Sequence, residues 1–103
     1  MTIPEFSVEI KQLPGQARIV CAGELDLGTA DQLKTAVLSA LGMKSDAILV
    51  DLEEATFVDS SGLRALLEVI QECRDLGVAI QVRPGTALRR LLELVQVEVP
   101  LES

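Results

Sequence analysis

The chain has 103 residues, of which 16 are acidic and nine are basic, so its formal net charge is −7. That charge has the wrong sign for a surface that binds nucleic-acid phosphates or an anionic membrane. The chain contains no histidine, which excludes Ser-His-Asp and Cys-His catalytic pairs, imidazole metal ligands and a phosphohistidine relay.

Length and composition predict one soluble domain that spans residues 1–103, since 49% of the residues are hydrophobic. The N-terminal sequence MTIPEFSVEIK lacks the basic and apolar regions of a signal peptide. The apolar run 47–50 has four residues, far fewer than the roughly 20 that cross a bilayer. We therefore expect a cytoplasmic protein. Cys21 and Cys73 are too few for a tetrahedral thiolate zinc site, and we expect them to be buried as small hydrophobic residues.

The first predicted element is a β-hairpin. Apolar and polar side chains alternate from Phe6 to Lys11, the period of a strand. Pro14 and Gly15 then suit the two central positions of a type II turn. The segment 17–22 is apolar on both faces, which predicts a second strand that lies further inside the sheet.

Helices and strands alternate after the hairpin. Thr29 and Gln32 have the spacing of a capping box, which predicts a helix that begins at Thr29, and Gly42 suits a left-handed cap at its end. The patterns then predict these elements in order: a strand over 47–50, a second helix whose apolar stripe runs from Leu63 to Cys73 and which Leu76-Gly77 closes, a strand over 78–82, a third helix that starts at 84–86, and a short edge strand within 96–101.

This element order predicts an α/β fold in which a β-hairpin opens a mixed β-sheet. The crossovers between parallel strands are right-handed. If successive strands add on the same side, about three helices lie mainly on one face of the sheet. The other face then needs polar cover or a partner.

The sequence Val58-Asp-Ser-Ser-Gly-Leu63 leads into the second helix and is the most informative stretch of the chain. Asp59, Ser60 and Ser61 are all good N-cap residues, so one of them is expected to bind the free N–H groups. Gly62 in the first helical turn costs about 1 kcal/mol relative to alanine. A serine at a helix N-terminus is well placed to carry phosphate.

Catalytic interpretations of these serines fail on the pattern. The motifs Gly-x-Ser-x-Gly and Ser-x-x-Lys are absent, as are the glycine-rich phosphate-binding loops. Acidic neighbours would repel an added phosphate, so phosphorylation would change the local surface sharply. We therefore interpret the serines as the substrate of a kinase rather than as nucleophiles.

Two motifs resemble the STAS domain of bacterial anti-sigma factor antagonists: Gly23-Glu-Leu-Asp26, and Phe57-Val-Asp-Ser-Ser-Gly-Leu63 at the start of the second helix. The resemblance covers essentially the whole chain in element order and spacing. It implies the same fold and a non-enzymatic, partner-switching protein that controls sigma-factor-dependent transcription, as a monomer or weak dimer without a cofactor. In many relatives a final C-terminal helix follows, which we expect to be short or missing in this chain.

In that family the unmodified antagonist binds an anti-sigma factor that is a serine kinase. Phosphorylation of the motif serine ends the binding, and a serine phosphatase resets the protein. By motif position the resemblance implies Ser60 as the phosphoacceptor, with Ser61 as its rival. It also implies that Asp26 and Asp59 border the docking surface and that Gly62 lets the partner approach.

Two other hypotheses remain open at this point. One is a receiver-type domain in which Asp51, at the end of the strand 47–50, accepts phosphate beside a magnesium ion. The other keeps the STAS fold in an adaptor subunit of a lipid transporter, a chemosensory array or a stress-signalling complex, without phosphorylation.

Overall fold

A computed structural model describes residues 6–102 of the chain. Residues 1–5 and 103 lie outside this range. The first five residues of the N-terminal sequence that was compared with a signal peptide are therefore not described. The described chain forms seven elements: β1 (Ser7–Leu13), β2 (Gln16–Leu25), α1 (Ala30–Gly42), β3 (Ala47–Val58), α2 (Ser60–Asp75), β4 (Ala79–Arg83) and α3 (Thr86–Leu94). None of these helices is long and apolar enough to cross a membrane.

The sheet has four strands in the order β1-β2-β3-β4. β1 is antiparallel to β2, whereas β2 and β3, and β3 and β4, are parallel. In the hairpin turn, Gly15 has a φ of +73°, the left-handed conformation that the second central position of a type II turn requires. The predicted mixed sheet opened by a hairpin is confirmed, and its strands add in chain order.

The hydrophobic core lies between the sheet and the pair formed by α1 and α2. Ile19, Val50 and Val82 are paired neighbours on three adjacent strands, and all three are fully buried. Burying each such side chain contributes roughly 1.5–3 kcal/mol. The fully buried residues that α1 and α2 contribute to this core are Leu33, Val37, Ala40, Leu66 and Cys73.

The third helix packs against β3, with Leu88 fully buried. After it, the chain returns to the free edge of β4. The Val82 N–H donates to the Pro100 carbonyl at 2.8 Å, and the Glu102 N–H donates to the Val82 carbonyl at 2.8 Å. The predicted last strand is thus reduced to a single parallel bridge between Leu101 and Val82.

Two strands are longer than predicted. β2 continues beyond residue 22 to Leu25, and β3 continues beyond residue 50 to Val58. The pairing of β2 with β3 shifts register between Val20 and Ala22 and again between Gly23 and Glu24, and Gly23 has a φ of +98°. A glycine in this conformation permits a bulge, so it bends the strand where we expected the strand to end.

The predicted start of α1 at Thr29 is confirmed, but the predicted capping box and the left-handed cap at Gly42 are wrong. Thr29 is the N-cap residue, but its hydroxyl makes no capping hydrogen bond; it donates to the Glu24 carbonyl at 2.7 Å and accepts from the Asp26 N–H at 2.9 Å. The preceding loop therefore uses the hydroxyl that a capping box requires. At the other end Gly42 remains helical, and Lys44 is the left-handed residue, with a φ of 59°.

Candidate functional site

The two sequence motifs meet at one end of the sheet. The last paired residues of β2 and β3 are Leu25 and Val58. Immediately beyond them the Asp59 N–H donates to the Leu25 carbonyl at 3.2 Å. The loop that begins at Asp26 and the helix that begins at Ser60 therefore leave the sheet side by side.

The start of α2 is capped by Asp59. Its carboxylate Oδ1 accepts from the Gly62 N–H at 2.8 Å, and its carbonyl accepts from the Leu63 N–H at 2.9 Å. Of the three candidate N-cap residues, the aspartate therefore satisfies the helix end. Both serines are left without a capping role.

Ser60 and Ser61 occupy the first two positions of α2. Ser60 is exposed, whereas Ser61 is half-buried. Within residues 6–102, neither hydroxyl forms a hydrogen bond. The more accessible hydroxyl is thus that of Ser60, and no hydrogen bond within residues 6–102 holds it.

Gly62 is buried, and its position explains why the first turn of α2 contains a glycine. A Cβ at this residue would stand 2.4 Å from the Leu25 carbonyl oxygen and 2.9 Å from the Leu25 Cγ. The bare backbone lets α2 approach the end of β2. The group that Gly62 lets come close is therefore Leu25 of the same chain. We had expected Gly62 to let a partner protein approach.

Asp26 organises the loop between β2 and α1. Its side-chain Oδ1 accepts from the Gly28 N–H at 3.0 Å, and its carbonyl accepts from the Ala30 N–H at 2.8 Å. Asp26 is half-buried, whereas the next side chain, Leu27, is 80% exposed. Asp26 therefore fixes a loop that exposes an apolar side chain to solvent.

A groove of about 460 Å³ runs between α3 and the junction of β3 with α2. Ser60 and Phe57 line one wall, and Arg90, Leu91 and Leu94 line the other. The sequence analysis missed the residues of α3 in this groove. The signal was present as a stripe with helical spacing, but the same spacing predicts a core face, as it does at Leu88.

Comparison with known proteins decides the family. A sequence model of the STAS domain matches residues 7–99. This chain belongs to the STAS domain family. A search of curated protein sequences found no match for this STAS domain.

Solved structures with the same fold include anti-sigma factor antagonists. One, from Mycobacterium paratuberculosis, is 24% identical with a TM-score of 0.78, and the match covers 91% of this chain and 81% of that one. The unphosphorylated form of the antagonist SpoIIAA is 22% identical with a TM-score of 0.66, covering 88% and 84% of the two chains. The phosphorylated form of SpoIIAA from Bacillus is 22% identical with a TM-score of 0.67, covering 87% and 82%.

The receiver hypothesis is wrong for this STAS domain. Asp51 lies inside β3 and is 3% exposed. Its Oδ2 is 2.7 Å from Arg18 Nη2 and 3.4 Å from Arg83 Nη1, and its Oδ1 accepts from the Glu53 N–H at 3.0 Å. Burial raises the pKa of Asp51, but this hydrogen bond and the two guanidinium groups outweigh it and hold the pKa below its ordinary value. Asp51 alternates along β3 with the core residues Val50 and Leu52, so its side chain lies on the opposite face of the strand, in an ion-pair network that Arg83 extends to Glu102 at 2.6 Å.

Both cysteines of the STAS domain are free thiols with no exposed surface. Burial, followed by the nearby charge of Asp51, raises the pKa of Cys21 to about 12. Burial and Glu72 raise the pKa of Cys73. A protonated, inaccessible thiol is unreactive, so the expected burial of both residues as small hydrophobes is confirmed.

Proposed function

We propose that this STAS domain is an anti-sigma factor antagonist that switches partners through Ser60. The unphosphorylated chain binds an anti-sigma factor that is a serine kinase, and the sigma factor is released. Phosphorylation of Ser60 ends that binding, and a serine phosphatase restores the unmodified chain. On this proposal the protein is a cytoplasmic regulator rather than an enzyme.

The observation that carries the proposal is the state of Ser60. Its side chain is exposed at the first position of α2 and has no hydrogen-bond partner among residues 6–102. Because Asp59 already caps the helix, modifying Ser60 costs the fold no capping interaction. The existence of SpoIIAA in a phosphorylated form supports a modification site in this fold.

Exposed apolar side chains at the same end of the molecule support a docking surface around Ser60. Leu27 follows Asp26 and is 80% exposed, Phe57 is 48% exposed, and Leu94 is 82% exposed. Phe57 and Leu94 share a groove with Ser60. Exposed apolar groups clustered in this way mark interaction sites, and an aromatic anchor is typical of their centre.

The modification itself is a phosphoryl transfer from ATP. The Ser60 Oγ forms a bond to the γ-phosphorus, and the bond from that phosphorus to the β,γ-bridging oxygen breaks, so ADP leaves. The serine proton passes to a basic group of the kinase. In the reverse half of the cycle water attacks phosphorus, and inorganic phosphate leaves with Ser60 regenerated.

Phosphorylation would oppose docking by charge. The phosphate adds about 1.5–2 negative charges beside the Asp59 carboxylate and the apolar side chains of the groove. A partner that covers Ser60 must then desolvate that charge. Burying an uncompensated charge at an interface costs about 2–5 kcal/mol, enough to separate two proteins of moderate affinity.

The test is intact-mass analysis after incubation with ATP and the serine-kinase anti-sigma factor from the same genome. We expect one added phosphate on the natural chain and on Ser61→Ala, and none on Ser60→Ala. Loss of the phosphate in Ser61→Ala alone would overturn the assignment to Ser60. No phosphate with any candidate kinase would overturn the proposal and favour the adaptor hypothesis.

Binding of the same kinase without nucleotide completes the test. Ser60→Ala is expected to bind as tightly as the natural chain, because it adds no charge and removes no capping hydrogen bond. Ser60→Asp is expected to bind more weakly. Equal affinity of both variants would contradict a switch at this position.

A further inference from the structure

We propose that Arg90 is the intramolecular partner of the Ser60 phosphate, so that the phosphorylated chain closes its own groove. This inference rests on the proposed function, because it requires phosphate on Ser60. It assigns to α3 a role in recognising the phosphorylated state.

The geometry that carries the inference is the groove between the two elements. Ser60 stands on the wall built by the end of β3 and the start of α2, and Arg90 stands on the facing wall built by α3. Both side chains therefore border one groove of about 460 Å³. Residues 87, 90, 91 and 94 have the spacing of one helical face, so Arg90 shares the face of Leu91 and Leu94.

The charge balance of the groove favours the same pair. Among the residues that line it, only Asp59 and Arg90 are charged. The Asp59 carboxylate is engaged at the start of α2, where its Oδ1 accepts from the Gly62 N–H at 2.8 Å. Arg90 is exposed and forms no salt bridge with any residue in the range 6–102. Among the residues that line the groove, Arg90 is therefore the one cation available to a phosphate on Ser60.

The chemistry of the two groups is complementary. A guanidinium group presents N–H donors in a planar fork that matches two phosphate oxygens, and such charge-assisted pairs are stronger than neutral hydrogen bonds. The pairing would draw Arg90 across the groove and cover the apolar surface that Phe57 and Leu94 expose in the unmodified chain.

The experiment uses the full chain with phosphoserine incorporated at position 60 during translation, so it needs no kinase. The second pKa of the phosphate, ordinarily about 6, is measured by ³¹P NMR titration. A guanidinium partner favours the dianion and lowers this pKa. We expect Arg90→Ala to raise it by about 0.5 units or more, and Arg90→Lys to give an intermediate value because it keeps the charge but loses the fork.

Arg89→Ala is the matched control, because Arg89 is also exposed, carries the same charge, and does not line the groove. It is expected to leave the phosphate pKa unchanged. Equal pKa values in the natural chain and in Arg90→Ala would overturn the inference, and so would equal shifts in the Arg90 and Arg89 variants. Circular dichroism confirms that each variant is folded. The kinase experiment above tests the proposed function independently. A failure of the Arg90 inference can therefore be distinguished from a failure of the proposed function.

Discussion

Replacing Gly62 by alanine tests whether the candidate site depends on the contact of α2 with β2. The added Cβ would lie 2.4 Å from the Leu25 carbonyl oxygen. A close carbon–oxygen contact is about 3.3 Å, so the helix and the strand must separate by roughly 0.9 Å. Overpacking of this kind costs about 1–3 kcal/mol, and the better helix propensity of alanine offsets at most about 1 kcal/mol.

Because the Cβ meets a backbone oxygen, which cannot rotate away, the upper part of that cost applies, about 2–3 kcal/mol. After the full offset we expect Gly62→Ala to lower the free energy of unfolding by about 1–2 kcal/mol, or Tm by roughly 4–15 °C. The measurement is urea and thermal unfolding followed by circular dichroism, since the chain has no tryptophan or tyrosine. Gly42→Ala is the matched control, because a Cβ at Gly42 meets nothing within 4 Å. It should be neutral or stabilising. A Gly62→Ala variant as stable as the natural chain would refute this packing argument.

Three further predictions concern the groups that hold the site and the sheet. Asp59→Ala should lower the free energy of unfolding by about 0.5–2 kcal/mol, whereas Asp59→Asn keeps a capping oxygen and should lose less; equal losses in urea titrations would contradict the cap. The fold lowers the pKa of Asp51 below its value in the unfolded chain. The ionised carboxylate therefore contributes its full stabilisation at a pH above the unfolded-state pKa, and this stabilisation is lost as the pH falls through the folded-state pKa. In Asp51→Asn the free energy of unfolding should therefore fall less steeply as the pH is lowered. An acid dependence equal to that of the natural chain would be inconsistent with the ion pairs. Cys21 and Cys73 should resist iodoacetamide at about pH 8 until urea unfolds the chain, and rapid labelling of the native protein, read by mass, would show that they are accessible.

The order of elements could be predicted because the sequence alternates between strand and helix periods. The bounds of β2 and β3 could not, because the residues that extend them look like turns or loops when viewed locally. Gly23 bends its strand through a bulge, and the charge of Asp51 is accepted inside the sheet by arginines on both neighbouring strands. The two arginines that compensate the Asp51 charge are each more than 30 positions away from it in the sequence.

The position of the candidate site was also predictable, but its surroundings were not. The pattern placed Ser60 at the start of a helix, and the structure confirms this position. The reason for a glycine at position 62 depends on the Leu25 carbonyl, which only the packed fold brings close. Arg90 and Leu94 lie about 30 residues beyond the motif, and only the docking of α3 on β3 places them opposite Ser60.

The most direct test of the partner-switching account is calorimetric titration of the anti-sigma factor kinase with two forms of the full chain. One form is unmodified, and the other carries phosphoserine at position 60. A charge penalty of about 2–5 kcal/mol corresponds to a loss of affinity of roughly 30-fold or more. The account predicts tight binding of the unmodified chain and at least this loss for the phosphorylated chain. Equal affinity of the two forms would contradict it.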